Sequence, residues 1–205
     1  GVILNWQAIK DAKEFRIYKN GKLLKTTIET SFITADENYA SYMVSAVDDL
    51  GYEGFASEPI VFAKNEIKIE LENIANPSKL PYTNFSGKGF VEISLSNNKE
   101  IAIKVEVEKE GDYILDFKYS NGNGPWNTDN KCAIRSLTVN GLYEGVMVFP
   151  QRGQNEWSDW GFSNARKVHL IAGVNTVKLH FEDWNNNMNV DVNTAMLDYL
   201  RVIKI

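Results

Sequence analysis

The amino-acid sequence predicts an all-β protein made of two consecutive sandwiches, and three observations predict it. Apolar and polar residues alternate with period two along most of the 205 residues, and scarcely any stretch sustains a helical period. Two of the four Asn-Gly pairs, Asn20-Gly21 and Asn140-Gly141, fall between alternating segments. A strand sends successive side chains to opposite faces, so alternation marks a half-buried strand. Asn-Gly tolerates the positive φ angles that a tight type I′ hairpin turn demands.

The elements follow in order. Residues 2–6, 14–18, 41–47 and 59–63 read as short strands between turn signals, and Lys19-Asn20-Gly21-Lys22 closes a hairpin. About six strands in the first 63 residues or so fit a small sandwich. Lys64-Asn65-Glu66 is a plausible junction, which gives domains 1–64 and 65–205. Beyond it, 67–72 alternates Ile67, Ile69 and Leu71 against Lys68, Glu70 and Glu72, although Ile67, Leu71 and Ile74 also suit a helical turn. A polar stretch with Pro77, Pro81, Gly87 and Gly89 comes next. Strands are then expected near 90–95, 100–107, 112–119, 132–139, 142–148, 166–171, 175–181 and 196–204. With long loops at 120–131, 149–164 and 182–195, this pattern predicts a jelly-roll sandwich that carries its function on loops.

Composition excludes several classes. Hydrophobic residues at 43% and charged residues at 24% are the balance of a chain with a buried core. A net charge of −5 without a basic block leaves no electrostatic footprint for nucleic acid. No apolar run approaches the roughly 18 residues of a membrane span, so no membrane insertion is expected. Cys132 is the single cysteine, which excludes an internal disulfide and a zinc site of thiolate pairs. Aromatic residues reach 12%, and asparagine gathers in the loops after residue 120. Flat apolar rings and neutral amides are the groups that contact polyhydroxylated rings. The competing reading is that asparagine merely forms turns.

Two resemblances follow. Leu4-Asn5-Trp6, Phe15-Arg16-Ile17-Tyr18-Lys19-Asn20-Gly21, Thr30-Ser31-Phe32 and Tyr42-Met43-Val44-Ser45-Ala46-Val47-Asp48 resemble a fibronectin type III domain. The resemblance implies a buried Trp6. It also implies that the family's first strand is missing, so that the chain is the C-terminal piece of a longer protein. The second segment resembles carbohydrate-binding modules of families 6 and 35. The matching residues are Glu70-Leu71-Glu72-Asn73, Gly89-Phe90-Val91, Gly111-Asp112-Tyr113-Ile114-Leu115, Tyr119-Ser120-Asn121-Gly122, Leu137-Thr138-Val139-Asn140-Gly141, Trp157-Ser158-Asp159-Trp160, Leu170-Ile171-Ala172-Gly173-Val174-Asn175-Thr176-Val177 and Leu197-Asp198-Tyr199-Leu200-Arg201-Val202. Such modules are noncatalytic and hang on secreted bacterial glycan-degrading enzymes. The resemblance therefore implies a polysaccharide or oligosaccharide ligand, a catalytic domain in the same polypeptide, and a secreted, periplasmic or cell-surface location. Phe90 departs from the tyrosine usual in the sugar cleft, and the 182–195 loop is longer than usual.

Candidate residues follow from chemistry. Glu70 and Glu72, two apart on an expected strand, would share a face and call for a cation between them. Hard oxygen ligands suit Ca²⁺, and the resemblance supplies Asp198 as a third. The competing reading is a solvated face beside lysines. Trp126, in a polar loop with Asn121 and Asn127, and Trp157 are expected sugar platforms; Trp160 is expected to pack inward, and Trp184 is an alternative platform. Phe90 and Asn189 join the expected ligand cleft. Arg135 and Arg152 are candidates for a uronate carboxylate, which a guanidinium fork matches in bidentate fashion; ordinary ion pairing competes. His169 and His180 are expected to be structural, and no catalytic residue is assigned. The expected function is noncatalytic glycan binding. The rival is a purely structural accessory role in a larger glycosidase.

Overall fold

The computed structural model describes residues 2–35, 39–124, 132–185 and 193–205. The chain divides into two compact units, Gly1–Asn65 with Ile205, and Glu66–Lys204.

In the first unit, β1 (Val2–Asn5) pairs antiparallel with β4 (Ser31–Thr34) as a two-stranded sheet. A second sheet has the order β3-β2-β5-β6, from β2 (Ala12–Lys19), β3 (Lys22–Thr27), β5 (Tyr39–Asp48) and β6 (Ile60–Ala63). The β2–β3 hairpin turns on Asn20 at φ 50° and Gly21 at φ 75°, as the turn chemistry requires. Leu4, Ile17, Ala40 and Tyr42 form the core, and Trp6 packs beside them, edge-on to Phe15 at 5.7 Å.

One polar cluster stands out in this unit. The Ser45 and Tyr18 hydroxyls donate to Glu53, and Arg16 pairs with the same carboxylate at 2.6 Å. Those two hydroxyl bonds, followed by the guanidinium, hold the Glu53 carboxyl down to about 2 from an ordinary 4.5. The folded value lies below the unfolded one. The stabilisation is therefore complete above pH 4.5 and is lost as pH falls through 2. An acid titration of the melting temperature is expected to show this limb, and Glu53→Gln is expected to flatten it.

The second unit is a jelly roll of two facing sheets. Its strands are β7 (Glu66–Glu70), β8 (Val91–Ile93), β9 (Glu100–Val107), β10 (Gly111–Ser120), β11 (Ala133–Val139), β12 (Leu142–Phe149), β13 (Gly161–Phe162), β14 (Arg166–Leu170), β15 (Gly173–His180) and β16 (Ala195–Lys204). One sheet is built on β10 and β16. Strands β14 and β13 share one edge of β10, while β7 and β8 pair with β16. The other sheet has the order β12-β11-β15-β9. Alternation is clearest in β9, where Ile101, Ile103, Val105 and Val107 are buried and the residues between them exposed. These side chains meet Leu115, Phe117, Leu137, Phe149, Leu179 and Val202 in one core.

Two details depart from the sequence reading. The strand expected over 67–72 stops at Glu70, and a 3-10 turn covers Leu71–Asn73, with Leu71 fully buried and its carbonyl accepting from Ile74 and Ala75. Glu72 therefore does not share a pleat with Glu70. Strand β16 is buried on both faces, and Phe162 meets its Tyr199 edge to face at 6.1 Å. There, Arg201 and Asp116 form a buried two-pronged pair at 2.8 and 2.6 Å, with the guanidinium 3.5 Å from the centre of the Phe162 ring.

Candidate functional site

Three connections of the second unit meet at one end of the sandwich: 77–90, the segment after β10, and 150–160. Backbone bonds join them, Arg152 N–H to Asn121 O and Asn155 N–H to Gly122 O, each 2.8 Å. The 77–90 connection is zipped to the last of these. The Trp160 indole N–H donates to Thr83 O at 2.7 Å, and Thr83 N–H donates to Ser158 Oγ at 3.0 Å.

A run of aromatic rings occupies this end. Trp157 stacks on Tyr82 with centroids 5.6 Å apart and planes 9° apart. Tyr82 stacks on Phe90 at 5.8 Å, and Phe90 meets Trp160 and Phe85 at 5.5 and 5.1 Å. The indole of Trp157 also lies on the backbone of Gly122, where a Cβ would fall 2.7 Å from the ring. Only glycine allows that approach. Phe90 is buried, whereas Tyr82, Trp157 and Trp160 remain partly open. Burial raises the Tyr82 phenol, with Glu92 acting in the same direction, so the hydroxyl stays protonated at neutral pH. Asn123 stands beside this rim and donates through Nδ2 to Asn121 Oδ1 at 2.7 Å and Thr194 O at 3.0 Å.

The structure corrects several expected ligand contacts. Phe90 is the enclosed centre of the ring cluster, not a cleft surface. Asn121 is fully buried; its amide donates to Phe149 O at 2.9 Å and accepts from Asn123, so it braces the loop instead of facing solvent. Arg135 is also fully buried, because it falls on the inward side of β11 with Ala133, Leu137 and Val139. Its guanidinium donates to Ile134 O at 2.7 Å, Ser94 O at 3.1 Å and Asn193 O at 3.2 Å, and to Asn193 Oδ1. Burial pulls it down to about 10, so it stays charged at neutral pH. Arg152 is mostly enclosed, pairs through Nε with Asp159 Oδ2 at 3.3 Å, and lies against Gly161. Neither arginine presents an uncommitted fork to a uronate.

Of the remaining candidates, Trp157 is at the rim and Trp184 is open to solvent. Trp126, Asn127 and Asn189 lie outside the described residues. Trp160, expected inside, is half-buried against Phe90 and Phe85. Sequence reading missed Tyr82, Phe85 and Asn123; Tyr82 and Phe85 were legible only as two rings in a Pro/Gly-rich stretch. Both histidines pair with carboxylates, His169 with Glu110 and Asp112 and His180 with Glu182.

The expected calcium ligands come together through Ser86 and Gly87. The Ser86 hydroxyl lies 3.0 Å from Glu70 Oε2 and 2.9 Å from Asp198 Oδ1, and Lys88 N–H donates to Glu72 Oε1 at 2.8 Å. A Cβ on Gly87, at φ 64°, would fall 2.4 Å from Glu72 Oε1 and 3.1 Å from Glu70 Oε2, so both carboxylates close on that glycine. Lys68 pairs with Glu70 at 2.8 Å and Lys118 with Asp198 at 3.1 Å. Among the described residues no three His, Cys, Asp or Glu side chains are grouped tightly enough to share an ion as they stand. The chemistry nevertheless fits a hard cation: three carboxylates face two lysines, the donors are oxygens, and Glu72 Oε2 is buried without a hydrogen-bond partner.

The all-β jelly roll of this unit is the fold of carbohydrate-binding modules of family 35. A native module of that family from Clostridium thermocellum superposes with a TM-score of 0.51 at 22% identity, over 69% of this chain and 99% of that one. In sequence, the chain is similar to a 1,6-alpha-glucosyltransferase of Sporosarcina globispora, 28% identical over 200 residues, which cover 88% of this chain and 15% of the relative. It is also similar to a cycloisomaltooligosaccharide glucanotransferase of Niallia circulans, 27% identical over 111 residues, or 54% of this chain and 11% of the relative. A Paenibacillus sp. cycloisomaltooligosaccharide glucanotransferase, solved in complex with cycloisomaltoheptaose, superposes with a TM-score of 0.51 at 26% identity, over 65% of this chain and 18% of that one. The chain thus spans 11 to 15% of the length of the two curated relatives. No family model matches it.

Proposed function

We propose that the chain is a noncatalytic, carbohydrate-binding part of a larger secreted glucan-active enzyme, and that it holds the catalytic domain near its substrate. The observation that carries this reading is the partly open Tyr82–Trp157 stack, seated on Gly122 at the loop end beside the Asn123 amide. The parts of these rings that the offset stack leaves uncovered can meet the C–H face of a pyranose, while amides answer its hydroxyls. The names of the relatives favour α-1,6-linked gluco-oligosaccharides. A neutral sugar is preferred to a uronate because Arg135 is enclosed and Arg152 is engaged by Asp159. Tethering contributes by raising the local concentration of glycan at a linked active site, not by any bond-making step. The fibronectin-like unit acts as a spacer in this reading.

Affinity electrophoresis of the intact chain through gels containing dextran, soluble starch or glucuronoxylan tests the proposal. Retardation by dextran, lost in Trp157→Ala, is expected. A stacked ring contributes about 1 kcal/mol or more, which is roughly a fivefold change in Kd. Unretarded migration in every gel, with calcium supplied, would point instead to a purely structural accessory role.

Calcium is proposed as a structural cofactor held by Glu70, Glu72 and Asp198, where it would supply the positive charge now shared between Lys68 and Lys118. Millimolar CaCl₂ is expected to raise the melting temperature of the intact chain and EDTA to reverse it. Glu72→Gln is expected to abolish the response.

A further inference from the structure

A second group of open rings lies on the outward face of the β12-β11-β15-β9 sheet. Tyr143 stands opposite Thr138 across β12 and β11, and Thr138 stands opposite Lys178 on β15. Residues directly paired between antiparallel strands point to the same side, so these three form a row across one face. His180 is two positions beyond Lys178 and shares that side. Trp184 meets Tyr143 edge to face, with centroids 5.7 Å apart and planes at 72°. Both residues are 57% exposed. An edge-to-face pair covers one ring face out of four, so the rest of the aromatic surface is not used by the contact.

Beside this row lies a hollow of about 320 Å³ whose lining includes Glu100, Thr138, Thr176, Lys178, His180 and Glu182. Lys178 is matched by Glu100 at 3.0 Å, and His180 Nε2 lies 2.8 Å from Glu182 Oε1. With its charges paired in this way, the floor offers hydroxyls and matched ions and does not select an ionic ligand. The volume is at the lower end of the roughly 300–1,000 Å³ of small-ligand pockets. A protein partner would need on the order of 1,000 Å² of complementary surface, whereas the apolar part here is two rings beside a polar hollow.

We propose that Tyr143 and Trp184 form a second saccharide-stacking site that takes one pyranose of a neutral oligosaccharide, with the Thr138 hydroxyl and the Lys178 ammonium answering its hydroxyls. This site is separate from the loop end. Tyr143 lies six residues along β12 from Phe149, whose carbonyl receives the Asn121 amide, and six strand residues span roughly 20 Å. The inference goes beyond the loop-end reading and does not depend on it. A long glucan engaging both sites would be bound more tightly than a short one, because the second contact is intramolecular.

Nitrogen-15 NMR titration of the intact chain with isomaltotriose, maltotriose and xylotriose tests the site by residue. At least one sugar is expected to shift the Trp184 indole N–H and the Thr138 and Lys178 amides saturably. Tyr143→Ala, an exposed position, is expected to weaken that response about fivefold, the value of one aromatic contact, while the Trp157 indole response persists. A Trp184 indole unmoved by all three sugars, or a response unaffected in both Tyr143→Ala and Trp184→Ala, overturns the site. Movement of Trp184 alone, with Trp157 silent, keeps this site and removes the loop-end reading.

Discussion

Arg135→Ala is expected to destabilise the second unit by about 3–4 kcal/mol and to lower its melting temperature by roughly 10 °C, because a buried polar network loses its donor and its volume together. The guanidinium fills an inward position of β11 and reaches carbonyls of two separate segments, Ser94 O and Asn193 O, as well as the Asn193 side chain. Truncation leaves those oxygens without their donor inside the sandwich. Arg135→Lys keeps the charge and most of the stem but replaces a planar fork by a point donor, so it is expected to fall between wild type and alanine. Arg152→Ala, which removes a pair with a half-exposed aspartate, is expected to cost far less. Thermal melts of the four proteins in parallel check the order.

Asp116→Ala is expected to cost about 3–5 kcal/mol, since it strands Arg201 on a covered face. Burial pushes the Asp116 carboxyl up against the opposing pull of its Arg201 bonds, so desolvation is the larger effect on that group. A pair of this kind need not stabilise the fold relative to apolar side chains of similar size. The double replacement Asp116→Leu with Arg201→Met is therefore expected to recover most of the loss. Denaturant unfolding of single and double variants measures this directly. Because Arg201 also lies against Phe162 of β13, directly after the Trp160–Gly161 segment, the single variant is expected to loosen the aromatic end as well.

The strands were legible because alternation and Asn-Gly turns are local signals. β9 over 100–107 was read to the residue, and both expected hairpins turn at their Asn-Gly pairs. The site was legible only in outline. Arg135 is a candidate by the match of its guanidinium to a carboxylate, but the alternation with Ala133, Leu137 and Val139 places it inward. For asparagine the sequence leaves sugar contact and turn formation open, and Asn121, Asn175, Asn185 and Asn193 do something else: they are buried and bind backbone groups of neighbouring segments, as Asn175 does with Ile171 N–H and O at 3.1 and 2.8 Å. Bracing between segments thus accounts for these four asparagines. Tyr82 and Phe85 sit in a stretch without period, where no pattern indicates which way a ring faces. The period over 67–72 fits a strand and a helical turn alike, and the chain takes the turn from Leu71 on, where Leu71 O accepts from Ile74 and Ala75 N–H.

Isothermal titration calorimetry of the intact chain with isomaltoheptaose in calcium-containing buffer, for wild type, Trp157→Ala and Gly122→Val, tests the central reading most directly. The account predicts saturable binding by wild type. It also predicts at least a fivefold loss in both variants, one lacking the ring and the other pushing it off its glycine seat, with both variants still unfolding cooperatively. Undiminished binding in both variants, or no heat from the wild-type chain with this sugar or any glucan tested, would contradict it.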